Sequence, residues 1–225
     1  MIKFEHTEVM NFEGAIRGMR NPLNSWDKSD TFFTHDCDEC PLDCEAVHFG
    51  HRFADKMCFN IGSNDLALMK KLTKAGSDHR KFMRQILVSV DITAPLYWWK
   101  EFDTYKVATV SNSCSTMHKI HEKEFTLEDF SHDHILDNNI LYMVVSELNE
   151  WRKKYLETKN KIYWWQMIQL LPTSYNQRRT ITLNYETLYN IFGSRRNHKL
   201  DEWSIGFMDW IKSLPYAEEL IIDRS

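Results

Sequence analysis

The sequence predicts an α+β fold, dominated by helices, with one small sheet. Three observations lead there. Apolar residues recur at three- and four-residue spacing through several long segments. One stretch, Ile86 to Ile92, alternates with a period of two. Seven Gly and five Pro in 225 residues are too few for a loop-rich sandwich.

A short strand over Ile2 to Glu8 opens the chain, and a helix from Phe12 to Arg20 follows. Residues 21–60 are the least regular part and read as an excursion from a single domain spanning 1–225. Ser63 or Asn64 is expected to cap a helix carrying Leu68, Met69 and Leu72, which Gly76 ends. In the next strand Ile86, Val88, Val90 and Ile92 share a face. Leu87 breaks the alternation, so both faces are expected to be partly covered. Pro95 suits the first turn of a helix whose apolar face is Trp98, Trp99 and Phe102. Ala108 to Met117 is rich in Ser and Thr. A longer helical region covers about 127–157, with Ile140, Val144, Leu148, Trp151 and Tyr155 in register and His132 and His134 in a break near its start. A helix over about 161–171 stops at Pro172, and Arg179 to Leu183 form a short strand. Asn184 then caps a helix bearing Leu188, Ile191 and Phe192, and a last helix covers about 200–213.

With 43% hydrophobic residues the chain can bury a substantial core. A net charge of −4 speaks against wholesale binding to nucleic acid, so any anionic ligand must be held by a local cluster of cations. No run approaches the roughly 20 apolar residues needed to span a bilayer. The opening MIKFEHTEV carries charges where a signal peptide has its apolar centre. A cytoplasmic protein without membrane contact is expected.

Polar chemistry concentrates in two stretches, Ala94 to His118 and Leu171 to Trp203. Arg195, Arg196, His198 and Lys199 stand at a predicted helix C-terminus, with Arg178 and Arg179 upstream. They either grip an anion or complement the helix dipole and face water. Asn112, Ser113 and Ser115 either donate to a phosphate or a ring carbonyl or act as local caps. Cys37, Cys40 and Cys44, near His35, His48 and His51, have spacings that could close a zinc site. The alternative is an acidic loop of reduced thiols, since five cysteines do not suggest a disulfide framework. The pairs His118/His121 and His132/His134 are weaker metal candidates. Trp98, Trp99, Trp164 and Trp165 fit a core or a subunit interface better than a stacking platform.

The order helix, Ala-Gly-Ser-Asp-His, alternating strand, Ala94-Pro95, aromatic helix, Asn112-x-x-Ser115, and later Leu171-Pro172, Asn-Tyr-Glu-Thr-Leu-Tyr-Asn and Arg-Arg-Asn-His-Lys-Leu-Asp-Glu-Trp resembles the flavin-dependent thymidylate synthases, the ThyX family. The resemblance runs from about Gly62 to Trp203. Family members carry Arg-His-Arg-x-x-Ser-x-Asn-x-x-Ser-x-Arg. Anchored on Asn112 and Ser115, the leading triplet is here Tyr105-Lys106-Val107 and the last Arg is Met117. Anchored on Ala94-Pro95, the triplet is Thr104-Tyr105-Lys106, so only Lys106 keeps a charge. The second half matches better, with Asn190, Arg195 and His198 at the family's spacing.

The resemblance implies a ThyX-like fold with a mainly antiparallel sheet and a homotetramer whose sites combine several subunits. It implies that Arg195 polarises a pyrimidine, that Asn190, His198, Lys106 and Asn112 meet the cofactor, and that Ser113, Ser115, Arg178 and Arg196 meet the nucleotide. Glu186 stands where relatives have an Arg that grips the nucleotide. FAD is the implied cofactor, with NADPH as reductant and a folate as one-carbon donor. The expected protein is a divergent enzyme acting on a pyrimidine deoxynucleotide such as dUMP. The alternative is a ThyX-fold protein that binds or sequesters a nucleotide without catalysis.

Overall fold

Helices dominate the computed structural model, which describes residues 2–34 and 58–224, and they accompany one small, mainly antiparallel sheet. Its strands are β1 (Lys3–Met10), β4 (Leu87–Pro95), β5 (Val110–Ser113) and β6 (Asn176–Asn184), in the order β1-β4-β6-β5. Two further short strands, β2 (Phe32–Thr34) and β3 (Cys58–Asn60), pair antiparallel within the expected excursion, Phe32 opposite Asn60.

β4 carries the alternation read from the sequence. Val88, Val90, Ile92 and Ala94 are fully buried, whereas Leu87 points to the other face and keeps 37% of its surface. Burying branched side chains on one face of a pleated strand is the arrangement that period-two patterning selects.

Helix α1 (Phe12–Arg20) has the predicted bounds. The cap of α2 (Ser63–Lys74) differs from expectation, because neither Ser63 nor Asn64 provides it. Asp30 does, accepting the backbone N–H groups of Asn64 at 2.9 Å and Asp65 at 3.0 Å. A carboxylate there satisfies two orphan donors and also complements the helix dipole, which a serine does less well. Gly76 follows the end of α2 with φ +109°, a left-handed conformation that glycine adopts without a Cβ penalty.

Pro95 lies at the N-cap of α3 (Leu96–Phe102), one step before the first turn where it was expected. Trp98 and Trp99 are buried to 0% and 1%, which places that tryptophan pair in the core. The region expected as one helix over 127–157 is a 3₁₀ turn at Leu127–Asp129, an irregular stretch holding His132 and His134, and then α5 (Asn139–Thr158). Ahead of it comes a short α4 (Thr116–Lys119), and after it α6 (Lys161–Leu170). The last predicted helix is π-helical over Glu202–Phe207 before α8 (Met208–Lys212), and a second π-helical turn covers Glu218–Ile222.

The chain divides into two compact units. One comprises residues 1–5, 91–104 and 111–180, and the other residues 6–90, 105–110 and 181–225. In the first, Phe125, Phe130, Leu141, Leu148 and Met167 form a core beneath α5 and α6. In the second, Met69, Met83, Leu188, Ile191 and Trp203 are buried to 0%.

Helix α7 (Tyr185–Arg195) belongs to the second unit, and its start is set as predicted. The Asn184 carboxamide oxygen accepts the Thr187 N–H at 2.9 Å and the Thr187 hydroxyl at 3.2 Å. Replacing Asn184 by alanine is expected to cost about 1 kcal/mol and to lower Tm by roughly 2–4 °C. Thermal unfolding of Asn184→Ala measures this directly.

Candidate functional site

Helix α7 carries the strongest set of predicted site residues. Arg195, its last residue, is half-buried and donates from Nε to the Tyr105 hydroxyl at 2.9 Å. Its guanidinium carbon lies 5.1 Å from the ring centroid of Trp203 and 5.7 Å from that of Tyr105. Trp203 itself is fully buried. Two aromatic faces and a phenolic acceptor therefore fix the plane of the guanidinium fork.

His198 joins the same cluster. Its backbone N–H donates to the Arg195 carbonyl at 3.0 Å, and its ring lies 6.4 Å from that of Trp203. Nδ1 accepts the Leu200 N–H at 3.1 Å, which turns Nε2 to the other side of the ring.

Asn190 lies on the exposed surface of α7. Five residues of helix rotate it by roughly 140° from Arg195, so the two side chains serve different faces. Lys106 and Arg196 are exposed as well. Glu186, in the first turn of α7, forms a two-pronged pair with Arg84. Arg84 Nε bonds Oε2, and Nη2 bonds Oε1 at 3.2 Å. That pair raises the Arg84 guanidinium above its already high ordinary value through the Glu186 hydrogen bond and charge.

The other predicted residues belong to the first unit. Asn112 and Ser113 lie on the exposed strand β5, the last strand in the sheet order. Ser115 caps α4, its hydroxyl accepting the His118 N–H at 3.0 Å, so the local-cap reading describes it. Arg178 pairs with Asp91 at 2.6 Å and lies 3.6 Å from Glu5. Arg179 pairs with Asp103 at 2.8 Å and stacks 4.2 Å from the Trp99 ring centroid. Both arginines thus have intramolecular acids, which weakens the pull of either on an outside anion. Beside them Gln177, itself buried, donates to the Cys114 carbonyl at 2.8 Å, while the Cys114 thiol is exposed and free.

Cys37, Cys40 and Cys44 lie outside the described residues, as do His35, His48 and His51. Among the described residues no group of three or more His, Cys, Asp or Glu side chains is arranged to hold a metal ion, so the two histidine pairs gather no third ligand there.

Three participants were not assigned from the sequence. Tyr105 stands where the resemblance puts a cationic triplet, and there its hydroxyl accepts the Arg195 Nε hydrogen. Trp203 closes the predicted C-terminal motif but read as its boundary. Arg84 gave no local signal, because its partner Glu186 is 102 residues away.

No protein-family model matches the chain, and no curated protein matches it in sequence. Solved structures do. A thymidylate synthase X (ThyX) from Helicobacter pylori, in a crystal structure with FAD and dUMP, aligns with 100% of this chain and 98% of its own at a TM-score of 0.68 and 14% identity. A second crystal structure of the flavin-dependent thymidylate synthase ThyX from Helicobacter pylori, also complexed with FAD and dUMP, aligns with 99% of this chain and 98% of its own, at a TM-score of 0.67 and 15% identity. The chain has the ThyX fold.

Proposed function

We propose that this chain is a divergent flavin-dependent thymidylate synthase-like enzyme, acting on a pyrimidine deoxynucleotide such as dUMP. The observation that carries the reading is the likeness of fold over the whole chain to proteins crystallised with FAD and dUMP. The donor set supports it. The Arg195 guanidinium suits the carbonyl edge of a pyrimidine, where fixed positive charge stabilises electron density pushed onto oxygen, and His198 stands beside it. Asn190, rotated to another side of α7, suits a second acceptor-rich ring such as the flavin. Bound FAD would supply the hydride chemistry, recharged by NAD(P)H, with a folate as the one-carbon donor. The work of the chain's own residues is to orient the base and polarise it.

Assembly belongs to the same proposal. In the first unit, α5 and α6 expose Ile140 (74%), Met143 (72%) and Leu170 (48%), with Leu136 fully exposed just before α5. An apolar face of that kind supports a subunit interface, and the resemblance makes the assembly a homotetramer. No helix among the described residues is long and apolar enough to cross a membrane. A cytoplasmic location is part of the same reading.

The test is optical and chemical. The purified protein is expected to be yellow, to bleach with NADPH under anaerobic conditions, and to convert dUMP to dTMP when a methylene folate is added. A second reading, a nucleotide binder without catalysis, is favoured by one observation. Glu186, already neutralised by Arg84, occupies the place of an arginine that the resemblance assigns to gripping the nucleotide. A colourless preparation stabilised by dUMP but not by FAD would select that reading over the enzyme.

A further inference from the structure

A stripe of arginines runs along one side of α7. Glu186, Tyr189, Gly193 and Arg196 follow one another at spacings of three and four residues, so they share a face of the helix. Arg84 meets Glu186 at one end of that stripe. Arg80 stacks on Tyr189, its guanidinium carbon 4.5 Å from the ring centroid, and Arg224 stacks on the same ring at 3.8 Å. Arg224 also donates from Nη2 to the Tyr189 carbonyl. Its guanidinium lies against Gly193, where an added Cβ would meet Nη1 at the far end of the Arg224 side chain.

Among the described residues the local charge is unbalanced. Glu186 offsets Arg84, and Asp223 lies 3.5 Å from Lys70 and 3.6 Å from Lys74. Among the described residues, no ion pair forms to Arg80, Arg196 or Arg224. Burial lowers the basicity of the Arg224 guanidinium, and the nearby Arg196 and Arg80 lower it further against the opposing pull of Tyr189. Arg80 adds an independent sign. Its Nε and Nη1 are enclosed and have no hydrogen-bond partner among the described residues. A helix C-terminus attracts one or two cations through its dipole. It does not account for three in mutual repulsion, one of them with enclosed, unused donors.

We propose that Arg80, Arg196 and Arg224, grouped along the Tyr189–Gly193 face of α7, form a binding site for a phosphoryl or diphosphate group. Guanidinium forks match phosphate oxygens in pairs, and a phosphoryl anion relieves the repulsion among the three cations. The sources of that chemistry are the monophosphate of a nucleotide and the diphosphate of a dinucleotide. This site is separate from the base-side contacts of Arg195 and stands without them.

The experiment is calorimetric titration of the full chain with inorganic pyrophosphate and with inorganic phosphate, at low salt. Saturable binding is expected, tighter for pyrophosphate, and weakened about tenfold or more in Arg80→Gln and in Arg196→Gln. Among the described residues Arg196 stacks on no ring, so its variant is expected to keep the fold and the result stays interpretable. Lys212→Gln removes the same charge from a lysine paired with Asp209, and it is expected to bind as the unmodified chain does. Displacement of pyrophosphate by FAD assigns the site to a dinucleotide, and displacement by dUMP alone assigns it to a monophosphate. Pyrophosphate contains no base, so its binding persists in Arg195→Ala, which separates failure of the nucleotide reading from failure of this one. Non-saturable binding, or equal losses in Lys212→Gln and Arg196→Gln, would overturn the proposal.

Discussion

Arg195→Ala is expected to lower turnover of dUMP by about 10²–10³-fold while leaving the fold intact. Position and charge both contribute. Tyr105 accepts the Nε hydrogen, and the rings of Tyr105 and Trp203 lie 5.7 and 5.1 Å from the guanidinium carbon. On the proposed reading the guanidinium therefore meets the ligand already oriented, and truncation removes a preorganised donor instead of a mobile one. The structural cost is far smaller, about 1 kcal/mol for a half-buried cation on aromatic faces. A urea melt of the variant should shift little while its activity collapses.

Two companion variants separate charge from geometry. Arg195→Lys keeps the charge but loses the planar fork, and it is expected to recover little of the rate. Tyr105→Phe keeps both rings and removes only the acceptor of the Nε hydrogen. On the proposed reading Tyr105 positions Arg195, so its loss should lower kcat more than it raises KM. If Arg195→Ala retained full turnover in a protein shown to convert dUMP, the assignment of the polarising group would be wrong.

Local patterning explains which parts of this fold the sequence exposed. The face of β4, the bounds of α1 and the Asn184 cap each depend on residues within a few positions of one another, where period and cap chemistry operate. β5 escaped because Val-Ser-Asn-Ser is exposed throughout and has no apolar alternation, so its strand state comes from pairing with β6. The π-helical turn at Glu202–Phe207 reads as ordinary helix, because a widened turn has no distinct composition. The candidate site divides the same way. Arg195 and His198 were visible as a motif, whereas Tyr105 reaches Arg195 across 90 residues of chain. Contacts of that span leave no trace in local spacing.

Asp65→Asn is expected to destabilise the protein by about 3–5 kcal/mol, the cost of breaking a buried charge pair from one side. Asp65 is fully buried and Arg20 is 4% exposed. One carboxylate oxygen accepts Arg20 Nε at 2.6 Å. The other accepts the hydroxyls of Ser29 at 2.7 Å and Thr31 at 2.6 Å, with the backbone N–H groups of Asp30 at 3.2 Å and Thr31 at 3.1 Å. An asparagine has one acceptor end. Turned to Arg20, it directs an NH₂ at that crowd of donors; turned to the donors, it directs the NH₂ at a buried guanidinium. Either orientation leaves groups unsatisfied.

The pH dependence follows from the same contacts. Burial alone would raise the Asp65 carboxyl, but hydrogen bonds from Thr31, Ser29 and Arg20, with the Arg20 charge, outweigh it and hold the group below the ordinary carboxylate value. A folded-state value below the unfolded one means stability is fully present above about pH 4 and is lost as pH falls through the folded value. Urea midpoints of the unmodified chain should therefore fall steeply in acid, and those of Asp65→Asn should fall less. The double variant Arg20→Met/Asp65→Leu separates a simple ion pair from a hub. Removing both charges of a simple pair is often neutral. Here the Ser29, Asp30 and Thr31 donors would still lose their acceptor, so the double variant should stay well below the unmodified chain. A double variant as stable as the original would reduce Asp65 to a partner of Arg20 alone.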